Sequence, residues 1–314
     1  MIKIGLIGAG NIIYAHTRPI KKHPELQIVA VAEVVPERAA KAAEPWGAKV
    51  YTDYHEMLDK EALDIAVISL PHFLHEPAAI ACAEHNVHTL LEKPMSVSEA
   101  SCQRINDAFA KSKALLQVGH VQSYSAANRK AREIIRSGEL GELVAIETWR
   151  TGLYFTEKRP KWHWKKETAG GGMWINLGAH CLDKICYMTD SRIASITGKC
   201  TYNQPGAGVD VSAQAFLIME NGVSATVHVC GYDVPSKDDT RLYFTKGMVR
   251  TFAGEALYIS RGEGEEEQVD LSGYPYYFDE QWNTFLESIR TGKVQGPTGE
   301  YGQHILKNLE AIWD

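Results

Sequence analysis

Chemistry is concentrated between Gly170 and Asp183, in the stretch GGGMWINLGAHCLD. Three glycines allow a loop to lie flat against a neighbouring surface, and the residues after them read as helix. Helical spacing then sets Asn176 and His180 four apart and Asp183 three further on, all on one face. An amide, an imidazole and a carboxylate so grouped suit substrate holding and proton transfer. The imidazole titrates near neutrality, which fits it to take a hydroxyl proton while hydride leaves the carbon beside it. A glycine-capped helix with ordinary interior hydrogen bonds is the competing reading, and the motif alone does not separate the two.

A second set of residues suits a dinucleotide. Gly8-Ala9-Gly10-Asn11-Ile12 follows a first apolar run and opens a helix, where backbone N–H groups and the positive helix end would meet a pyrophosphate. Ile13 stands where the fingerprint has its third small residue, so the match is incomplete. Glu33 closes the second run near the expected distance of about 20 residues. A carboxylate there binds both adenosine ribose hydroxyls and repels a 2′-phosphate, which favours NAD over NADP. Ser69-Leu70-Pro71 and Glu92-Lys93-Pro94 end the fourth and fifth runs, at the sheet edge where ligands bind in open α/β folds. A lysine ammonium in such a place stabilises a developing alkoxide.

These residues require particular elements around them. Six strand-like runs (3–8, 27–33, 48–51, 64–70, 88–92 and 114–119) alternate with helical patterns at 36–44, 77–84 and 97–111. Continuous apolar strands separated by helices indicate a parallel sheet covered on both faces. After Gly119 come a helix at 125–137, a strand at 143–150 and the glycine-rich segment with its helix. From Ile193 to Val269 the period is two, with Asn221-Gly222 as a hairpin turn. Two helices, 279–290 and 300–313, follow. The fold expected is α/β, a Rossmann domain at 1–119 and an α+β domain at 120–314 built on a large, mostly antiparallel open sheet. The last helix is free to pack back on the first domain. An open sheet with one helical layer leaves a face exposed, so a homodimer or homotetramer built through it is expected.

Composition narrows the class further. The chain has 314 residues, 45% of them hydrophobic and 23% charged, with a formal net charge of -6 and no basic stripe, which argues against nucleic acid. The opening MIKIGLIGAG is too short an apolar run for a signal peptide or a membrane span. Six cysteines without a CxxC pair read as reduced, mostly buried thiols, consistent with a cytoplasmic protein.

GAGN, EKP and GGGMWINLGAH, in this order and spacing, resemble the family of glucose–fructose oxidoreductase, inositol dehydrogenase and MocA, over nearly the whole chain. The resemblance implies a nicotinamide cofactor and a polyol, sugar or cyclitol substrate. By position, Lys93 corresponds to the family's active-site lysine and His180 to its catalytic histidine. Asn176 stands where many members carry aspartate, and it is expected to be a substrate ligand more than part of a proton relay. The resemblance also sets His75 near the cofactor. His72 with His75, and His85 with His88, have spacing seen in zinc sites but lack further ligands, so no metal is expected. Trp149, Arg150, Tyr154, Trp162, His163 and Trp164 form an aromatic, basic stretch. From it Trp149, Arg150 and Trp162 are taken as walls of a substrate pocket. Gln117, His120 and Gln122 straddle the domain junction, and Gln122 is assigned to the cofactor. Two other functions compete: a glycosidase that retains NAD and works by transient oxidation and elimination, and a non-catalytic NAD- or sugar-binding regulator.

Overall fold

The computed structural model describes residues 1–313. Its strands are β1 (Ile2–Ile7), β2 (Leu26–Ala32), β3 (Lys49–Tyr51), β4 (Ile65–Ile68), β5 (His88–Leu91), β6 (Leu116–Val118), β7 (Leu143–Thr151), β8 (Ile193–Thr201), β9 (Ser212–Met219), β10 (Ser224–Cys230), β11 (Lys237–Phe244), β12 (Gly247–Phe252), β13 (Ala256–Arg261) and β14 (Glu267–Gln268). Its α-helices are α1 (Ile13–Ile20), α2 (Pro36–Ala43), α3 (Tyr54–Lys60), α4 (His75–Glu84), α5 (Glu99–Lys111), α6 (Ala126–Ser137), α7 (Lys166–Ala169), α8 (Ala179–Thr189), α9 (Tyr277–Thr291) and α10 (Gly299–Glu310).

The chain divides into two compact units, residues 1–119 with 278–303, and residues 120–277 with those from 304 on. In the first unit six parallel strands lie in the order β3-β2-β1-β4-β5-β6. Strand order reverses between β1 and β4, the point at which open α/β sheets bind ligands. All four residues of β4 are 0% exposed, as a strand covered on both faces must be. Ile4, Leu6, Ile28 and Val67 of the sheet pack with Ile13 and Ile20 of α1 in one cluster. Trp282 and Phe285 of α9 join that cluster, so residues 278–303 count with the first unit and not with a domain running 120–314. The sequence marks an amphipathic helix there without marking which core it serves.

The second unit is built on an eight-stranded sheet, β14-β13-β12-β11-β7-β10-β9-β8. Every neighbouring pair is antiparallel except β7 with β10. Strict alternation sends Ala213, Ala215 and Leu217 of β9 and Ala225, Val227 and Val229 of β10 to one buried face. Helices α6 and α8 pack on this sheet. Between β9 and β10 the chain turns at Asn221-Gly222, with Gly222 at φ 87°. The helix after the three glycines is not α-helical from its start. Trp174–Gly178 form a single π turn before α8 begins. Such turns insert one residue's width into a helix and occur often at functional sites.

Among the described residues, no helix is long and apolar enough to cross a membrane. All six cysteines are free, and burial pushes the Cys82 thiol up to about 12.

Candidate active site

In the first unit the dinucleotide residues gather at the carboxyl ends of β1, β2, β4 and β5. Gly8 has φ 91°, and its carbonyl accepts a hydrogen bond from Ser69 Oγ at 3.0 Å, joining the loops after β1 and β4. Gly10 faces open space: a Cβ there would meet nothing nearer than Ser69 O at 4.0 Å. Protein packing therefore does not require that glycine, whereas close approach of a ligand phosphate to the backbone would. Asn11 and Ile12 are exposed beside it. Ile13, where the fingerprint has a small residue, is 0% exposed and fills the space between α1 and the sheet. Glu33 is held from two sides, its Oε2 accepting Ala9 N and its Oε1 accepting Val35 N, both at 2.9 Å. These residues fit a dinucleotide: an open glycine at a helix start and a fixed carboxylate at the end of β2.

The turn after β5 is supported from beneath. Glu92 is 8% exposed, and its Oε1 lies 2.9 Å from Nε2 of His16, which is fully buried on α1. Burial alone would raise the Glu92 carboxyl, but the His16 hydrogen bond and charge, with Lys93 beside it, hold it below the usual value. Lys93 itself is half-buried, donates its backbone N–H to Glu92 Oε2 at 3.1 Å, and precedes Pro94 through a cis peptide. His75 opens α4, just after the turn that ends β4. It is 1% exposed, and its ring nitrogens each lie 2.9 Å from a carbonyl, of Leu70 and of Pro94. Burial keeps it below the ordinary histidine value, against the two carbonyls that favour its charged form, and it ties together the turns after β4 and β5. Glu92 likewise faces His16 and so supports the turn. Leu70 and Pro71 remain half-buried at the rim. Among the described residues, no group of three or more His, Cys, Asp or Glu could hold a metal ion.

In the second unit the glycine loop is fastened by Asp210, a residue the motif search missed. Its Oδ1 accepts Gly172 N at 2.8 Å and its Oδ2 accepts Trp174 N at 2.7 Å, while its carbonyl accepts Met173 N at 3.1 Å. The neighbouring surface against which the glycines lie is thus the Asp210 backbone: a Cβ on Gly172 would sit 1.8 Å from Asp210 O. Burial raises the Asp210 carboxyl, against the two N–H groups that favour its charge. Trp174, 0% exposed, donates Nε1–H to Leu309 O at 2.9 Å.

From this anchored start the π turn carries Asn176, and α8 carries His180 and Asp183. Asn176 and His180 are both half-buried, whereas Asp183 is 0% exposed, accepts Ser123 Oγ at 3.3 Å and lies 4.0 Å from His120 Nδ1. Asp183 is thus more deeply buried than the other two. Asn176 Nδ2 donates to Tyr154 Oη at 2.7 Å. Gln122 accepts Asn128 Nδ2 through both its carbonyls, at 2.9 and 3.3 Å.

The three aromatic or basic walls do not stay together. Neighbours on a strand point to opposite faces, so Trp149 and Arg150 of β7 cannot line one pocket. Trp149 is 43% exposed and packs on His228 of β10, centroids 4.9 Å apart, away from the helices. Arg150 shares the helix-covered face, where its guanidinium lies 3.6 Å from Asp238 and Lys184 of α8 lies 2.7 Å from the same carboxylate. Burial raises Asp238, but Lys184 and Arg150 outweigh it and hold the group low. Trp162 stacks on His163 at 3.6 Å in the loop that also contains Tyr154.

Comparisons with known proteins match both parts of the chain to one family. Residues 2–120 match the family described as an oxidoreductase family with an NAD-binding Rossmann fold, and residues 128–250 match the C-terminal domain of the same family. An uncharacterized oxidoreductase of Streptococcus pneumoniae is 27% identical over 63% of this chain and 53% of its own length, so the match spans about half of that relative. An inositol 2-dehydrogenase of Corynebacterium glutamicum is 27% identical over 99% of this chain and 92% of its own. In fold, the aldose-aldose oxidoreductase of Caulobacter crescentus, solved with glycerol, superposes with a TM-score of 0.90 at 22% identity, covering 99% of this chain and 96% of that one. Two matched domains in order, on a six-stranded Rossmann sheet and a large mixed sheet, make the chain a member of the glucose–fructose oxidoreductase, inositol dehydrogenase and MocA family.

Proposed function

We propose that the protein oxidises a secondary alcohol of a sugar, sugar derivative or cyclitol, or reduces the corresponding ketone. NAD, when bound, supplies the hydride acceptor or donor. Gly8, Gly10, Asn11, Ile12 and the Ser69–Pro71 turn would hold its phosphates and nicotinamide side, and Glu33 its adenosine ribose. The observation that carries the reading is Asn176 and His180, half-buried on consecutive turns whose start Asp210 fastens. His180 takes the hydroxyl proton as general base, a role to which an imidazole is suited. Asn176 hydrogen-bonds a substrate hydroxyl. Lys93 lends its positive charge to the developing alkoxide. Likeness over nearly the whole chain to an inositol 2-dehydrogenase supports a polyhydroxylated substrate.

The test mixes the protein with NAD and a panel of polyols and follows NADH by absorbance. Net NADH formation, lowered roughly 10²–10⁴-fold in kcat by His180→Ala, is the expected result. Near-normal turnover by His180→Ala would remove the assignment. Turnover of a chromogenic glycoside without net NADH would replace the reading with the elimination-type glycosidase, and silence in both assays with the regulator.

A further inference from the structure

Tyr154 lies in the loop after β7, 22 residues from Asn176, with no motif of its own. It is 2% exposed, and five contacts fix its place. Its N–H donates to Gly231 O at 2.9 Å. The Arg159 guanidinium lies over its ring at 3.7 Å, and Arg159 Nε also donates to its carbonyl. Phe155 meets the ring edge-on with centroids 4.8 Å apart. The phenol ends 2.7 Å from Asn176 Nδ2, as hydrogen-bond acceptor. A rigid, buried hydroxyl thus meets the one side chain of the π turn that carries an amide.

The direction of that bond has a chemical consequence. A carboxamide is planar and has one donating and one accepting end. With Nδ2 turned to Tyr154, Oδ1 is turned away from it. We infer that Tyr154 is a positioning residue that fixes the plane of the Asn176 amide at the place where that amide meets a substrate hydroxyl. This rests on the alcohol-oxidising reading above and adds to it the residue that orients one substrate ligand. A phenol is both donor and acceptor, so it can also serve an aspartate at position 176 by reversing the bond. Tyr154 stays protonated throughout the physiological range, since burial pushes its hydroxyl up to about 12.

Two measurements test this in the full-length protein. Asparagine side-chain amides are isotope-labelled and the Asn176 signal is identified by its loss in Asn176→Asp. Tyr154→Phe keeps the ring and removes the acceptor, so it should move that signal and speed its hydrogen exchange. An unmoved signal overturns the inference, whatever the activity. Should Tyr154→Phe not fold, the Tyr154 ring signal is compared between the unmodified protein and Asn176→Leu, and no change again overturns it. On a polyol that the unmodified protein oxidises, Tyr154→Phe should raise KM about three- to tenfold, the size of one neutral hydrogen bond, with a smaller change in kcat. In the Asn176→Leu background the same substitution should add almost nothing. Additive losses, or an unchanged KM, refute the positioning role. If the Asn176 signal moves but no polyol is oxidised even by the unmodified protein, the activity reading fails while the contact stands.

Discussion

At the scale of single residues, two buried carboxylates have opposite titration behaviour. Glu92 is held low in the folded protein, by His16 and Lys93 against its own burial. A lowered carboxyl contributes stability that is present above its ordinary value of 4.5 and is lost as pH falls through the folded value. Thermal stability should therefore fall more steeply on the acid side in the unmodified protein than in Glu92→Gln, as followed by calorimetry at stepped pH. Superimposable profiles would show that the pair beneath Lys93 contributes nothing. Asp210 has the reverse sign: its raised carboxyl favours folding below its ordinary 3.8 and loses that contribution as pH rises through the folded value. Its two oxygens are aimed at two N–H groups that favour its charge, yet burial outweighs them.

At the scale of elements, the helix bearing Asn176 and His180 depends on the loop that precedes it. Gly172→Ala would put a methyl group into the Asp210 carbonyl, and backbone must move to relieve it. We expect a loss of about 1–3 kcal/mol in unfolding free energy and a larger proportional loss of turnover than of NAD affinity. A variant with unchanged melting and unchanged turnover would refute the coupling. Much of this was legible in the residues alone. The first unit's strands announced themselves because a sheet buried on both faces requires continuous apolar runs, as in Ile65–Ile68. The second unit's strands did so through alternation, as at 213–217 and 225–229. What stayed hidden were side-chain meetings between distant segments: Asp210 with Gly172, 38 residues apart, and Tyr154 with Asn176. Adjacent aromatic and basic residues at 149 and 150 looked like one wall until the strand assigned them to opposite faces. The π turn was hidden too, because glycine, tryptophan and asparagine in this order suit an ordinary helix equally well.

At the scale of the whole molecule, the eight-stranded sheet has, among the described residues, a face on which no helix packs. Trp149 and Phe216 lie on it at 43% and 47% exposed, around an open cavity of about 490 Å³ also bordered by His228 and Lys199. Exposed apolar groups gathered on one face mark an association surface. We expect a dimer or tetramer by light scattering at micromolar concentration, and Phe216→Glu should shift it toward monomer. A monomeric unmodified protein would refute this.

The two hydrogen bonds to Glu33 bear on how readily the protein could change its cofactor. The carboxylate that would turn away a 2′-phosphate also accepts Ala9 N in the glycine turn and Val35 N at the start of α2. A shorter residue such as serine, introduced to admit NADP, strips both acceptors at once. Preference and loop shape are therefore one inherited trait. A lineage or an engineer altering the first must rebuild the second, and single-step conversions at position 33 should give loosened enzymes before they give efficient NADP users.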